Sequence, residues 1–247
     1  MIYTTQNGDD LNSIAKHFGV TQDTILKYND VDKVGYLQVG IDLIIEDKQL
    51  QTGPGDLLIP DSEVIYSPIT LDFDLQKYVP YAGGYLSSYH EYVGTTNRSG
   101  WEIIQIVARD SSINPRLLLS VLEYQSHWVY GRPSNLVETD YPAGYVNVNF
   151  KGLYKQLGWI SRQLEIGFYG WRNGSQLSIS FQGQKQLRLA PNINAGSASI
   201  QFLFAQLYSL EDWFSALYSD SYFIVLHEEM FGDCWARAKQ YEPYLTE

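Results

Sequence analysis

The sequence predicts a mainly α, α+β chain. A small β-α-α-β module spans 1–48, a linker spans 49–70, and an all-α domain with a minor hairpin spans 71–247. Three observations carry that reading. A strand, two capped helices and a closing strand fit into fewer than 50 residues. A turn-rich stretch, Gln51-Thr52-Gly53-Pro54-Gly55-Asp56, follows, with Pro60 and Pro68 beyond it. Apolar residues then recur at helical spacing through most of the remaining chain.

In order, Ile2-Tyr3-Thr4-Thr5 reads as a strand and Gly8-Asp9-Asp10 as a turn. Asp10 is placed to cap a helix carrying Leu11, Ile14, Ala15 and Phe18, which Gly19 ends. Thr21 caps a second helix, with Ile25 and Tyr28 on one face and Asn29 near its end. Leu43-Ile44-Ile45 forms the closing strand. Leu57-Leu58-Ile59 reads as a short strand or a docking segment. Helices are expected at 73–80, 84–93, 100–109 (capped by Ser99) and from Pro115 to about Trp128. Asn114 caps the last of these, and Pro115 takes the favoured first helical position. Residues 130–148 read as a loop and Leu153–Tyr169 as a long helix. Alternation over 173–189 predicts a hairpin turning at Gly183, and helices are expected again at 195–209, 210–217 and 221–230.

Composition excludes several function classes. The chain has 247 residues, 45% of them hydrophobic and 15% aromatic, which is too apolar for a disordered polymer. No apolar run approaches the roughly 18 residues of a membrane span, and no signal peptide is recognisable at Met1. Seventeen basic residues against 28 acidic give a net charge of -11, which repels a phosphate backbone and argues against nucleic acid. The single Cys234 allows no internal disulfide and no thiolate zinc cluster. The four histidines lack metal-ligand spacing, so no metal or cofactor is implied. The aromatic excess fits surfaces that stack sugars as well as ordinary cores.

The first module resembles LysM. The residues that carry the resemblance are Tyr3, Gly8-Asp9-Asp10-Leu11, Ile14-Ala15, Phe18-Gly19-Val20, Asn29 and Leu37-Gln38-Val39-Gly40-Ile41-Asp42-Leu43-Ile44. Asp10 stands where the family usually has Thr, and both residues cap helices. The resemblance implies binding of N-acetylglucosamine-containing glycans, either peptidoglycan or chitin. The implied groove lies between the first strand–helix loop (Gly8, Asp9, Asp10, Leu11) and the segment from Asn29 to Val31.

The stretch from Ile113 to Trp128 resembles the catalytic helix of the soluble lytic transglycosylases, which have a lysozyme-like fold. Gly152-Leu153-Tyr154-Lys155-Gln156-Leu157, with one residue inserted, and the stretch from Pro191 to Leu203 are similar to two later motifs of that family, in the same order. Aligned without gaps, the family's catalytic Glu falls on Gln125, which cannot donate a proton as an acid does. Glu123 lies two residues away, about 200° around the helix. Either the register differs and Glu123 is the acid, or the domain binds glycan without that chemistry. Arg116, Ser120, Glu123 and His127 form one polar stripe, which reads as a solvated face or the wall of a cleft.

On this reading Glu123 is the candidate catalytic acid, with His127 beside it and Glu138 or Asp140 as a source of a second carboxylate. Gln125, Trp128, Tyr130, Tyr145 and Gln156 are the candidate sugar contacts, and Asn192 is expected to cap its helix. The expected function is cleavage of the N-acetylmuramic acid–N-acetylglucosamine linkage, as a lytic transglycosylase or muramidase. The alternatives are a non-catalytic wall-binding scaffold and a chitin-directed glycosidase. The expected partner is a peptidoglycan or chitin-type glycan bound by a monomer outside the cytoplasm, a location that rests on the LysM resemblance.

Overall fold

A computed structural model describes residues 1–46, 51–181, 185–219 and 222–241. The fold is α+β and mainly α. Strand β1 (Ile2–Thr4) pairs antiparallel with β2 (Asp42–Ile44), with Tyr3 opposite Leu43. Between them lie α1 (Leu11–Phe18) and α2 (Gln22–Leu26). Asp10 caps α1 by accepting from Ser13 N–H, and Ser13 Oγ accepts from Asp10 N–H in return, which satisfies two donors that a helix start leaves open. Thr21 caps α2 through Thr24 N–H. Tyr3, Leu11, Ile14, Phe18, Ile25 and Leu43 close a small core of their own.

A second, larger core begins before residue 70. Leu58, Ile59, Val64 and Ile69 are buried, and α3 (Asp61–Val64) packs against it. The stretch expected as linker up to residue 70 is therefore packed structure from Leu58 onward. Leu58-Ile59 docks there without forming a strand, its Leu58 N–H donating to Ser197 Oγ. Next come α4 (Leu75–Ala82) and α5 (Tyr85–Ser88). The expected helix over 84–93 stops at Ser88. His90–Val93 (β3) pairs instead with Thr96–Ser99 (β4), turning at Gly94, whose φ of +62° suits a residue without Cβ. Among its described residues the second unit thus carries two hairpins, where the sequence predicts one.

Helix α6 (Gly100–Asp110) opens on a capping box between Ser99 and Glu102. Helix α7 (Pro115–Ser126) is capped by Asn114 and buried on nearly every side, as its apolar girth predicts. It ends at His127, which takes a left-handed φ of +54°, so Trp128 lies beyond it. A short helix, α8 (Leu136–Asp140), interrupts the expected loop. The long helix α9 (Leu153–Arg172) packs along α10 (Ala195–Leu207). Gly167 permits the close approach, because a Cβ there would lie 2.8 Å from Ser199 Cα. Between them, β5 (Ser178–Ser180) pairs with β6 (Gln186–Arg188); the expected turn at Gly183 lies outside the described residues. Helices α11 (Leu210–Tyr218), α12 (Phe223–Phe231) and α13 (Cys234–Tyr241) complete the unit. Asn194 caps α10, whereas Asn192, the expected cap, donates to Gly55 O.

Candidate functional site

In the polar stripe of α7, Arg116, Ser120 and Glu123 are buried and His127 at its end is exposed. Glu123 Oε2 accepts from the backbone N–H groups of Val129 and Tyr130, at 2.9 and 3.0 Å. Oε1 lies 3.5 Å from His127 Nδ1. The carboxylate thus ties the end of α7 to the chain that follows it. Its two amide partners need an acceptor at that oxygen, which is a fold-holding task.

Nearby Ser120 Oγ lies 2.8 Å from His227 Nδ1, and His227 Nε2 lies 3.5 Å from Glu63 Oε2. Arg237 Nε donates to Glu63 Oε1, and Asn114 Nδ2 donates to Oε2 at 3.2 Å. Burial pushes the Glu63 carboxyl up, but the hydrogen bonds and charges of His227 and Arg237 outweigh it and hold it below its ordinary value. Ser-His-Glu is the order of a nucleophilic hydrolase. Here all three side chains have 0% exposure, so no substrate carbonyl reaches Ser120 Oγ. The cluster locks α3, α7, α12 and α13 together. Its sequence signal was the spacing of Arg116 and Ser120; Glu63 and His227 came from distant elements that spacing cannot join.

The expected sugar contacts separate. Trp128 is fully buried, between Tyr85 and Tyr89, with Nε1 donating to Glu138 O. It is a core residue and offers no stacking face. Gln156 is also fully buried. Its Oε1 accepts from Ala143 and Tyr145 N–H, and its Nε2 donates to Tyr145 O and Phe150 O. It shapes the 143–150 loop from behind, with its amide spent on main-chain groups. Gln125 Oε1 accepts from the Tyr208 hydroxyl at 2.9 Å. Tyr130 remains exposed, its hydroxyl bonded to that of Tyr78. Tyr145 lies flat on Trp159, ring centroids 3.9 Å apart. Glu138 folds back onto Ser134 N–H, and Asp140 pairs with Lys151 at 2.7 Å. Neither approaches Glu123 through any hydrogen bond or ion pair.

In the first unit the Gly8–Leu11 loop meets the chain at Tyr36 and Leu37 and not the segment from Asn29 to Val31. Leu37 N–H donates to Asp9 O at 2.8 Å, and Asp10 bridges to Tyr36, whose side chain is 79% exposed. Several predicted contacts spend their side chains on the fold. Asp9 Oδ2 accepts from the Tyr3 hydroxyl and Gln6 N–H, both at 2.7 Å. Burial pushes the Asp9 carboxyl up, against those bonds and the Arg172 charge. Leu11 is core. Asn29 Nδ2 donates to Ile25 O and Ile44 O, and its Oδ1 accepts from Ile44 N–H, stitching α2 to β2. These side chains are thus engaged in holding the small fold together.

The two units touch. Arg188 Nη2 donates to Lys16 O and His17 O, Lys16 Nζ to Asn173 O, and Gln6 Nε2 to Asn192 O. Gly8, with φ of +87°, sits against Arg172, whose Nη2 would lie 1.6 Å from a Cβ at that position. Among the described residues no group of three or more His, Cys, Asp or Glu side chains is placed to hold a metal ion, and no helix is long and apolar enough to cross a membrane.

Residues 3–46 match the LysM domain family. Residues 57–243 match the family described as LasA, N-terminal domain, in place of the soluble lytic transglycosylases that the α7 sequence resembles. No curated protein and no solved structure matches the chain.

Proposed function

Over residues 57–243 this chain belongs to the LasA N-terminal domain family, with a LysM domain ahead of it at 3–46, and from that premise we propose that it is a cell-wall glycan-binding protein whose second unit is a scaffold without glycosidase chemistry. LysM domains bind GlcNAc-containing glycans. The proposed groove runs between the Gly8–Leu11 loop and the segment from Asn29 to Val31. Its ligand is peptidoglycan at the cell surface.

One observation carries the non-catalytic half of the reading. Glu123, the residue best placed by sequence to act as a glycosidic acid, gives one carboxylate oxygen to two backbone amides. A general acid needs a proton held within reach of a leaving oxygen. A carboxylate engaged in closing a turn serves a different purpose.

The test is co-sedimentation with purified peptidoglycan, with soluble GlcNAc oligomers as competitor and mass spectrometry of the supernatant. The protein should pellet, be released by the oligomers, and leave no soluble muropeptides. Anhydro or reducing-end muropeptides that Glu123→Gln abolishes would establish the enzyme instead. Protein left in the supernatant would remove glycan binding altogether.

A further inference from the structure

The second unit carries a cleft of about 550 Å³ between α6, the 143–150 loop and α9. Trp159, Phe150 and Tyr154 form its apolar walls. Tyr145 stacks on Trp159 and packs edge-on to Phe150, so the loop that Gln156 holds fixes both rings. Lys155 and Arg162 stand about two turns apart on the α9 face that lines it, both exposed, and neither makes a salt bridge among the described residues. Arg162 also feels Glu165, whose carboxyl burial pushes up and Arg162 draws down. Asp110 stands on the α6 side. In a protein of net charge -11, two cations thus line one cleft beside aromatic rings.

Gly158 supplies a second, independent observation. It lies inside α9, where glycine is the poorest helix former after proline. Gly167 and Gly170 of the same helix have packing reasons, because a Cβ at either would strike a neighbour at 2.8 or 2.5 Å. A Cβ at Gly158 meets nothing within 4 Å, and Gly158 lines the cleft. No packing contact calls for glycine there, and a larger side chain would project into the cleft.

We propose that this cleft is a second binding subsite, for the carboxylate-bearing muramyl-peptide part of peptidoglycan. The rings take the apolar face of a pyranose. Lys155 and Arg162 take carboxylates, as charge-assisted hydrogen-bond donors, and Asp110 accepts from amide N–H groups or hydroxyls. Neutral chitin offers no carboxylate, so the cleft selects peptidoglycan over chitin, while LysM accepts the GlcNAc they share. The inference deepens the glycan-binding reading and rests on it for the source of the ligand.

Calorimetry on the full chain tests it, with N-acetylmuramyl dipeptide and chitotetraose as probes. Wild type should bind both. Gly158→Leu fills the cleft with a better helix former, and should abolish muramyl dipeptide binding while leaving chitotetraose affinity unchanged. Arg162→Gln should weaken muramyl dipeptide about tenfold, the scale of one charge-assisted bond, and flatten its salt dependence. Equal muramyl dipeptide affinity in wild type and Gly158→Leu overturns the proposal, as does a wild type that binds chitotetraose alone. Equally tight binding of an oligogalacturonide overturns the muramyl assignment. Loss of chitotetraose binding with muramyl dipeptide binding intact would instead overturn the LysM half and leave the cleft standing.

Discussion

The imidazole of His17 lies flat on the indole of Trp171, ring centroids 4.0 Å apart and 7° from parallel. His17 Nε2 donates to Trp171 O at 2.9 Å, which places the ring proton on Nε2. Nδ1 is buried without a partner. This stack lies where the LysM module meets α9.

A second ring proton has no acceptor there, and the Arg188 charge opposes it. Burial, the larger cause, and Arg188 lower the His17 pKa from 6.5 to about 4. The unfolded chain binds this proton between those values and the folded chain does not, so stability rises with pH across that window. The full span is worth about 3 kcal/mol at 1.36 kcal/mol per unit. Urea unfolding from pH 7 down to 4 should show that loss. His17→Phe keeps the stack without the titration and should show a shallower slope. An identical slope in the variant would place the pH sensitivity elsewhere.

Glu123 makes a separate prediction. Glu123→Ala orphans the buried amide of Val129 and the part-buried amide of Tyr130. It should cost about 2–4 kcal/mol, from the usual 1–3 kcal/mol per unsatisfied group. Glu123→Gln keeps an acceptor oxygen and should cost about 1 kcal/mol or less. Denaturant midpoints of the two variants give the comparison directly. Equal losses would mean that the charge, and not the turn, is what the protein needs.

The fate of Gln156 follows from its four bonds to the 143–150 loop. Gln156→Leu preserves bulk but leaves two amides and two carbonyls to find water. It should destabilise by about 2–4 kcal/mol and release Tyr145 from Trp159. Near-ultraviolet circular dichroism reports that stack, so its signal should fall at temperatures where the far-ultraviolet signal is still native. An unchanged near-ultraviolet spectrum would show that the rings hold the loop without the amide.

Local rules found what local chemistry determines. Asp10, Thr21, Asn114 and Ser99 were readable as caps because a helix start demands an acceptor within three residues, and each helix they open is present. Periodicity found α7, α9 and α10. It failed at His90–Val93, where four residues pair across Gly94 instead of continuing α5, because so short a mixed segment does not fix a period. It also failed for α13, whose Cys234 and Ala238 give only a weak buried stripe. The site suffered most, since a polar residue at helical spacing looks the same whether water or another helix covers it. Ser120 meets His227 across 107 positions, and no spacing rule reaches that far. Trp128 and Gln156 were mistaken for ligand contacts for the same reason: their burial is decided by elements elsewhere in the chain.

The buried set of Glu63, His227, Ser120 and Arg237 gives the sharpest separation between chemistry and stability. Removing one partner of a buried ion pair leaves an uncompensated charge, at a cost of about 3–5 kcal/mol. Glu63→Ala should fall in that range, because it strands Arg237 and His227 together. Ser120→Ala removes one bond to His227 Nδ1 and should cost about 1–3 kcal/mol. Glu63 is held below its ordinary value, so its contribution is present above the unfolded carboxylate pKa and is lost as pH falls through the lowered one. A wild type compared with Glu63→Gln should therefore lose its advantage in acid. The two single changes should combine non-additively, because both act on His227. A serine-directed fluorophosphonate should leave Ser120 unlabelled in the native protein, since the hydroxyl is fully buried. Labelling there without unfolding would turn the cluster from a structural lock into a nucleophile with a gate, and additive costs would dissolve the network into independent contacts.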